Sequence, residues 1–124
     1  MLTVVADLDA RYQRILGKQL AMNEQMWRTL RGHGLTEAAE LRLDFTYDAP
    51  DRASAESLKT VLEDQTDYDV IVRSAGTWLR RTWSVEGTTQ PTTVSAEKLD
   101  EWVDWMVTAG LHQNCEFDGW GTQF

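Results

Sequence analysis

The first third of the chain has the periodicity of a helix. Through Leu8–Arg31, apolar residues recur about every three to four positions, and the stretch contains no proline and one glycine. Gly17 and Asn23 are the two points at which the pattern allows a break into two helices. The glycines on either side of His33 predict the helix end, because glycine readily adopts the left-handed conformation that follows many helices. We therefore predict an N-terminal helical segment over residues 1–34.

Four later segments have the pattern of β-strands. In Leu41–Tyr47, apolar and polar residues alternate, as on a strand with one buried face. Tyr68–Ser74 is rich in valine and isoleucine, and a tight turn that begins at Ala75 predicts a hairpin with the next strand, Thr77–Val85. The last strand is predicted over His112–Asp118, with its cysteine and phenylalanine on one face.

Two helices separate these strands. Ser54–Gln65 carries one apolar stripe, with Asp51 or its own first residue as the cap. Ser95–Thr108 carries a second stripe and is predicted to end at Gly110. The order β-α-β-β-α-β is that of the ferredoxin-like plan, in which two helices cover one face of a four-stranded antiparallel sheet. We predict a single α+β domain, in which the helical segment packs on a ferredoxin-like unit of residues 35–124.

The charge of the chain restricts the classes of partner. Its 124 residues include 20 acidic and 12 basic ones, for a formal net charge of −8. Such a surface repels nucleic-acid phosphates and anionic lipid headgroups, whereas it attracts a basic protein or a basic segment of one. A single cysteine and the lack of a signal-like or long apolar stretch predict a reducing compartment, with the cytoplasm as the expected location.

Acidic residues cluster in two places that are candidates for contact with a basic partner. One group flanks the predicted boundary between the first short helix and the strand after it, and the other lies on the polar face of the last helix. We predict that both groups steer the partner electrostatically, because complementary charge speeds encounter. The residues are Glu63, Asp64, Asp67, Asp69, Asp100, Glu101 and Asp104.

Residues suited to catalysis or metal binding are sparse. His112 and Cys115 are three positions apart, which on a strand places them on opposite faces, and no second pair of ligands lies near them. Cys115 falls on the predicted core face, where a thiol is usually inert. We therefore expect no catalytic residue, no metal and no cofactor. A small enzyme that uses Cys115 or His112 is the less favoured alternative.

An RNA-binding domain is a second alternative. Ferredoxin-like domains that bind RNA use aromatic and basic residues on the open sheet face. Arg42, Arg73 and Arg80 are predicted on that face, and Trp78 is placed to join them in a local basic patch. The open face is also a candidate for a protein-binding surface, a dimer interface or the bed of the N-terminal helix. Both a monomer and a homodimer are compatible with the sequence.

The most distinctive local sequence is at the C-terminal end. Asp118-Gly119 has the chemistry of a tight turn, because the carboxylate can bond nearby backbone and glycine accepts positive φ. Trp120 is predicted either to cover the sheet edge as a structural latch, the favoured interpretation, or to anchor a partner. The motif consists of Phe117, Asp118, Gly119, Trp120, Gly121 and Thr122.

This motif resembles the C-terminal signature of the regulator of ribonuclease activity B (RraB) family. The order of the other elements is similar too, and the resemblance spans about Asn23 to Phe124. It implies a ferredoxin-like fold and a non-enzymatic role, since RraB-like proteins bind the endoribonuclease RNase E and inhibit its cleavage of RNA. The implied partner is a basic region of RNase E or of another ribonuclease. The familiar member continues into a long acidic tail, so a lower affinity or a different target is expected for this sequence.

Overall fold

The N-terminal segment forms one continuous helix through both candidate break points. The computed structural model describes residues 2–36 and 38–123, and it describes their side chains from residue 7 onward. Met1, Glu37 and Phe124 belong to the predicted segments but lie outside the described residues. The helices are α1 (Leu2–Gly32), α2 (Arg52–Gln65) and α3 (Ala96–His112). The strands are β1 (Glu40–Leu41), β2 (Asp44–Ala49), β3 (Asp69–Gly76), β4 (Arg81–Thr88), β5 (Thr92–Thr93) and β6 (Glu116–Gly121).

Four of the strands form one antiparallel sheet in the order β3-β4-β2-β6. The short strands β1 and β5 pair with each other in a separate two-stranded ribbon. The described residues therefore form an α+β structure with three helices and two antiparallel sheets, and the predicted fold class is confirmed at that level.

All three helices pack on the same face of the four-stranded sheet. A buried cluster joins inward-facing sheet residues to helix residues, and it includes Phe45, Tyr47, Val70, Val85, Phe117, Ile15, Leu58, Leu62, Val103 and Met106. α1 lies beside α3 on this face, where a second cluster around Leu30, Leu43 and Leu99 continues the core. Among the described residues no helix covers the opposite face, so it is not the bed of the N-terminal helix.

Several local predictions are confirmed. Buried residues alternate with more exposed ones from Leu41 to Tyr47, although the segment divides between β1 and β2. Asp51 caps α2, because its carboxylate accepts a 2.7 Å hydrogen bond from the backbone N–H of Ser54. Ser95 caps α3 through the backbone N–H of Lys98 at 3.1 Å.

The predicted hairpin turn was two residues too early. β3 continues through Ala75 and Gly76, and the chain turns at residues 77–80. Gly76 has φ +95° and lies directly against the carbonyl of Arg80, so a side chain at this position has no room. The glycine therefore ends the strand and does not form the middle of the turn.

The last helix is longer than predicted, because Gly110 is a packing residue and not a terminator. α3 continues past Gly110 to His112, and β6 starts only at Glu116. A Cβ atom at Gly110 would lie 2.5 Å from the ring of Tyr47, whose hydroxyl donates a 2.7 Å hydrogen bond to the carbonyl of Met106. Glycine thus lets α3 approach the central strand closely.

Candidate protein-binding surface

The C-terminal motif contains an irregularity in the sheet. Thr46 of β2 lies opposite Gly119, but the next residue of β2 lies opposite Phe117. Asp118 is therefore an extra residue on β6, and such a β-bulge shifts the alternation of the strand by one position. As a result Phe117 and Trp120 both pack with the helix-side clusters, although they are three positions apart. Gly119, with φ +153°, takes a backbone conformation that other residues rarely adopt.

Trp120 connects α1, α3 and β6. Its indole N–H donates a 2.7 Å hydrogen bond to Oδ1 of Asn23 on α1. Its ring lies edge-on to that of Trp102 on α3, with 6.1 Å between the centroids. Asn23 in turn donates a 3.1 Å hydrogen bond to Asp100 of α3. This is the geometry of a latch that holds the long helix to the sheet.

Apolar periodicity did not single out the polar residues of α1 that take part in this contact. Gln19 and Asn23 are each 2% exposed, and Gln19 donates a 3.2 Å hydrogen bond to the carbonyl of Asp118. Both follow Ile15 at four-residue intervals, which places them on the buried stripe of the helix. That spacing was the signal available in the sequence.

The helix-free face of the four-stranded sheet is acidic. Among the described strand residues, one cation projects from it, Arg73, and its Nε donates a 2.8 Å hydrogen bond to Glu86. The carboxylates on this face are those of Asp44, Asp48, Asp69, Glu86, Glu116 and Asp118. We call these six carboxylates the acidic sheet face.

The environment of Asp48 combines partial burial with nearby negative charge. Burial, followed by the nearby charges of Asp118 and Glu116, raises the pKa of the Asp48 carboxyl above its usual range. At the margin of the face, Arg11 and Arg14 of α1 reach Glu116 at 3.1 and 3.4 Å. These two arginines offset part of the negative charge at this end of the sheet.

A shallow depression lies beside this cluster. Gly119 and Gly121 place no side chain on the open face at their two positions of β6, and the carboxylates of Asp44, Glu86 and Asp118 surround the space. The depression is open to solvent, which suits a protruding side chain of a partner better than an enclosed small molecule. An arginine or lysine of a basic partner fits its charge.

The acidic residues predicted to steer a partner fall into two environments. Asp100 and Asp104 face α1, where Asp104 accepts a 2.7 Å hydrogen bond from the hydroxyl of Tyr12 and Asp100 accepts from Asn23. Glu101 is exposed. The four at the junction of α2 and β3 are exposed and close in sequence: Glu63, Asp64, Asp67 and Asp69. Of the two groups, only the one at the α2–β3 junction is continuous with the acidic sheet face, because Asp69 belongs to both.

The structure separates His112 from Cys115. His112 is exposed on the last residue of α3 and not on a strand as predicted, whereas Cys115 is fully buried ahead of β6. Burial raises the pKa of the Cys115 thiol to about 11, so little thiolate is present near neutral pH. No group of three or more metal-binding side chains forms in the part of the chain that the structure describes.

We expect Cys115 to react with iodoacetamide only as fast as the folded domain opens. A thiol whose pKa is about two units above that of a free cysteine has a thiolate fraction about a hundredfold lower near neutral pH. Mass spectrometry should therefore show labelling at least about a hundredfold slower than in denaturant, where the same residue provides the control. Rapid, complete labelling of the folded protein would contradict this assignment and favour the small-enzyme alternative.

The basic patch predicted for RNA binding does not form. Arg42 precedes β2 at one end of the sheet, whereas Trp78 and Arg80 lie at the hairpin tip beyond the other end. Arg73 lies between them and bonds an acidic neighbour, Glu86. The antiparallel register therefore keeps apart the three arginines that the sequence alone allowed to share one basic patch.

These features define an α+β domain with an acidic sheet face that is suited to contact with another macromolecule. Among its described residues no helix has the length and apolar character that crossing a bilayer requires. The sequence matches the family described as RraB, Regulator of ribonuclease activity B, over residues 20–122. The match covers most of the chain, so the protein belongs to the RraB family, a family of regulators of ribonuclease activity. Comparison with curated proteins gave no match.

Proposed function

We propose that this protein regulates RNA degradation without catalysing a reaction, by binding an endoribonuclease and inhibiting its cleavage of RNA. The proposed partner is RNase E or another ribonuclease with a basic region. The family match supports a ribonuclease as the target. The acidic sheet face is the observation that carries the mode of contact, because it presents six carboxylates on a surface that no described helix covers, with Arg73 among them and Arg11 and Arg14 at its margin.

The mechanism is competition for positive charge. A ribonuclease region that binds RNA carries arginine and lysine side chains that neutralise phosphates. The acidic sheet face presents carboxylates in fixed positions on paired strands, and these can bind the same arginine and lysine side chains. Bound protein therefore excludes RNA from that region of the ribonuclease. The exposed group Glu63, Asp64 and Asp67, together with Glu101, adds to the net negative field that steers the partner.

We further propose a ferredoxin-like fold and a cytoplasmic location for this protein. The order β3-β4-β2-β6, with α2 and α3 on one face, supports the ferredoxin-like plan, to which α1 adds a third helix. A cytoplasmic location follows from the proposed partner, since RNA is degraded there. The motif residues Phe117, Gly119 and Trp120 have a structural role in this proposal: they form the bulge that holds α1 and leaves Asp118 on the open face.

A titration against the purified basic region of RNase E tests the proposal. Raising the ionic strength from about 0.1 M to 1 M shortens the screening length from about 10 Å to 3 Å, so we expect the affinity to fall at least tenfold. In the same buffers, a cleavage assay on an unstructured RNA should show inhibition that follows the fraction of ribonuclease bound. An affinity that does not change with ionic strength would contradict the electrostatic mode of binding. Retention of RNA by this protein alone would favour the RNA-binding alternative.

A further inference from the structure

The two edges of the four-stranded sheet differ in how they are protected. β6 is bulged and contains two glycines, and α1 reaches it through the Gln19 bond to the Asp118 carbonyl and the Arg11 bond to Glu116. β3 has eight residues, no proline and no bulge, and no described element pairs with its outer side. Alternate residues of such an edge point N–H and C=O groups away from the sheet, where another strand can pair with them.

The first half of β3 is complementary to itself when read in the opposite direction. Asp69-Val70-Ile71-Val72-Arg73 has a carboxylate at one end, a guanidinium at the other and three apolar residues between them. In an antiparallel pair centred on Ile71, Asp69 lies opposite Arg73 of a second copy and each valine lies opposite a valine. Ile71, which is 49% exposed in the single chain, then lies opposite its own counterpart.

Charge selects this register over its neighbours. The two neighbouring registers that keep the same faces of the strands together move the partner of Asp69 by two residues. They place Asp69 opposite Ile71 or opposite Ala75, and both lose the ion pair. Arg73 can make the new contact and keep its present one, because only its Nε is used toward Glu86 at 2.8 Å and a guanidinium has further N–H donors. A single β3 strand therefore contains both partners of each contact in the pair, the carboxylate and the guanidinium as well as the apolar residues between them.

We propose that the protein forms a two-fold symmetric homodimer by antiparallel pairing of β3 with β3 of a second copy, with Ile71 opposite Ile71. The contact closes on itself, so it removes the open edges and leaves only the protected β6 edges. The two four-stranded sheets become one, and their acidic faces become continuous. The interface uses Asp69 and leaves the other five carboxylates of the acidic sheet face uncovered. It does not depend on the ribonuclease partner.

The hairpin tip provides a second contact in the same dimer. Trp78 and Leu79 at the tip are 84% and 73% exposed, and two arginines follow them. In the proposed register Gly76 lies opposite Thr66 of the second copy. The tip therefore extends toward the α2–β3 junction of that copy, where exposed carboxylates meet the arginines.

A cysteine at position 71 tests the register. Residues directly opposite on antiparallel strands have Cα atoms about 4.5–5.5 Å apart, which is within the range that a disulfide spans. We expect Ile71→Cys to form a disulfide-linked dimer under mild oxidation, seen on a non-reducing gel. Ser74→Cys on the same strand is the matched control, because its two copies would lie about 20 Å apart. Buried Cys115 does not compete, since it is inaccessible in the folded protein.

The mass in solution tests the dimer without added cysteines. At about 100 μM, sedimentation of the unaltered protein should give twice the 14.2 kDa mass of the chain. Ile71→Lys places two ammonium groups opposite each other and should weaken association at least tenfold, whereas Thr46→Lys on an interior strand should not. Asp69→Arg should also give monomers, and combining it with Arg73→Asp should restore the dimer.

Three results would overturn the proposal. They are a monomeric mass for the unaltered protein, a dimer that Ile71→Lys does not weaken, and equal crosslinking through positions 71 and 74. Each result is measured on the protein alone, so it neither supports nor contradicts the proposed binding to a ribonuclease.

Discussion

Replacing Trp120 by alanine is expected to lower the free energy of unfolding by about 3–5 kcal/mol. The substitution removes the ring that packs on Trp102 and leaves the buried Oδ1 of Asn23 without its 2.7 Å donor. An unpaired buried polar group by itself costs about 1–3 kcal/mol. Urea denaturation followed by circular dichroism measures the loss, and hydrogen exchange should show that α1 loses protection first.

Two further variants separate the contributions of the Trp120 ring and its N–H group. Trp120→Phe keeps an aromatic ring and removes the donor, so its effect should lie between those of the unaltered protein and the alanine variant. Trp105→Ala on α3 is the control for the loss of an indole that is 39% exposed, and it should change stability by less than about 1 kcal/mol. If Trp120→Ala were no more destabilising than Trp105→Ala, the latch interpretation would be wrong.

Reversing two charges on the acidic sheet face should abolish most of the binding to the ribonuclease. Asp44 and Asp48 are exposed, and both belong to the central strand β2. Asp44→Lys combined with Asp48→Lys replaces attraction with repulsion of a basic partner, and like-charge contacts cost several kcal/mol. We expect the affinity to fall about a hundredfold, which corresponds to about 2.7 kcal/mol. Calorimetric titration at low ionic strength measures the change.

A charge-matched control distinguishes local contact from net charge. Glu24→Lys combined with Glu56→Lys makes the same change in net charge on exposed positions of α1 and α2, away from the acidic sheet face. This variant should weaken binding only severalfold, through the long-range field. A third variant, Glu63→Lys with Asp64→Lys, tests the predicted steering group at the α2–β3 junction. Equal losses in all three would show that net charge, and not the acidic sheet face, governs binding.

The elements that depend on local sequence were predicted well. The alternation of Leu41–Tyr47, the cap at Asp51 and the stripes of α2 and α3 appear in the structure because side-chain periodicity and capping act over a few residues. The RraB motif could also be read directly, since its residues are contiguous. The prediction failed at Gly110, which was taken as a terminator but lies inside α3 because Tyr47 packs against it, a contact 63 positions away.

The candidate surface was harder to predict because it combines residues from four strands. The sequence placed alternate residues on an open face, but it did not show which strands are neighbours or where the bulge at Asp118 shifts the alternation. Strand order therefore decided that carboxylates of β2, β3, β4 and β6 share one face while Arg42 and Arg80 lie at opposite ends. The open edge of β3 depends on the same order, because a strand is an edge only when its neighbours are known.

By itself the sequence determined the acidic character of this protein, its α+β elements and its family, because composition, periodicity and a contiguous motif need no knowledge of distant contacts. The tertiary structure alone decided the roles of the individual residues. Trp120 is a latch because a bulge turns it toward Asn23, and the acidic sheet face exists because all three helices pack on the other side. Both outcomes depend on contacts between residues far apart in sequence, which local patterns do not encode.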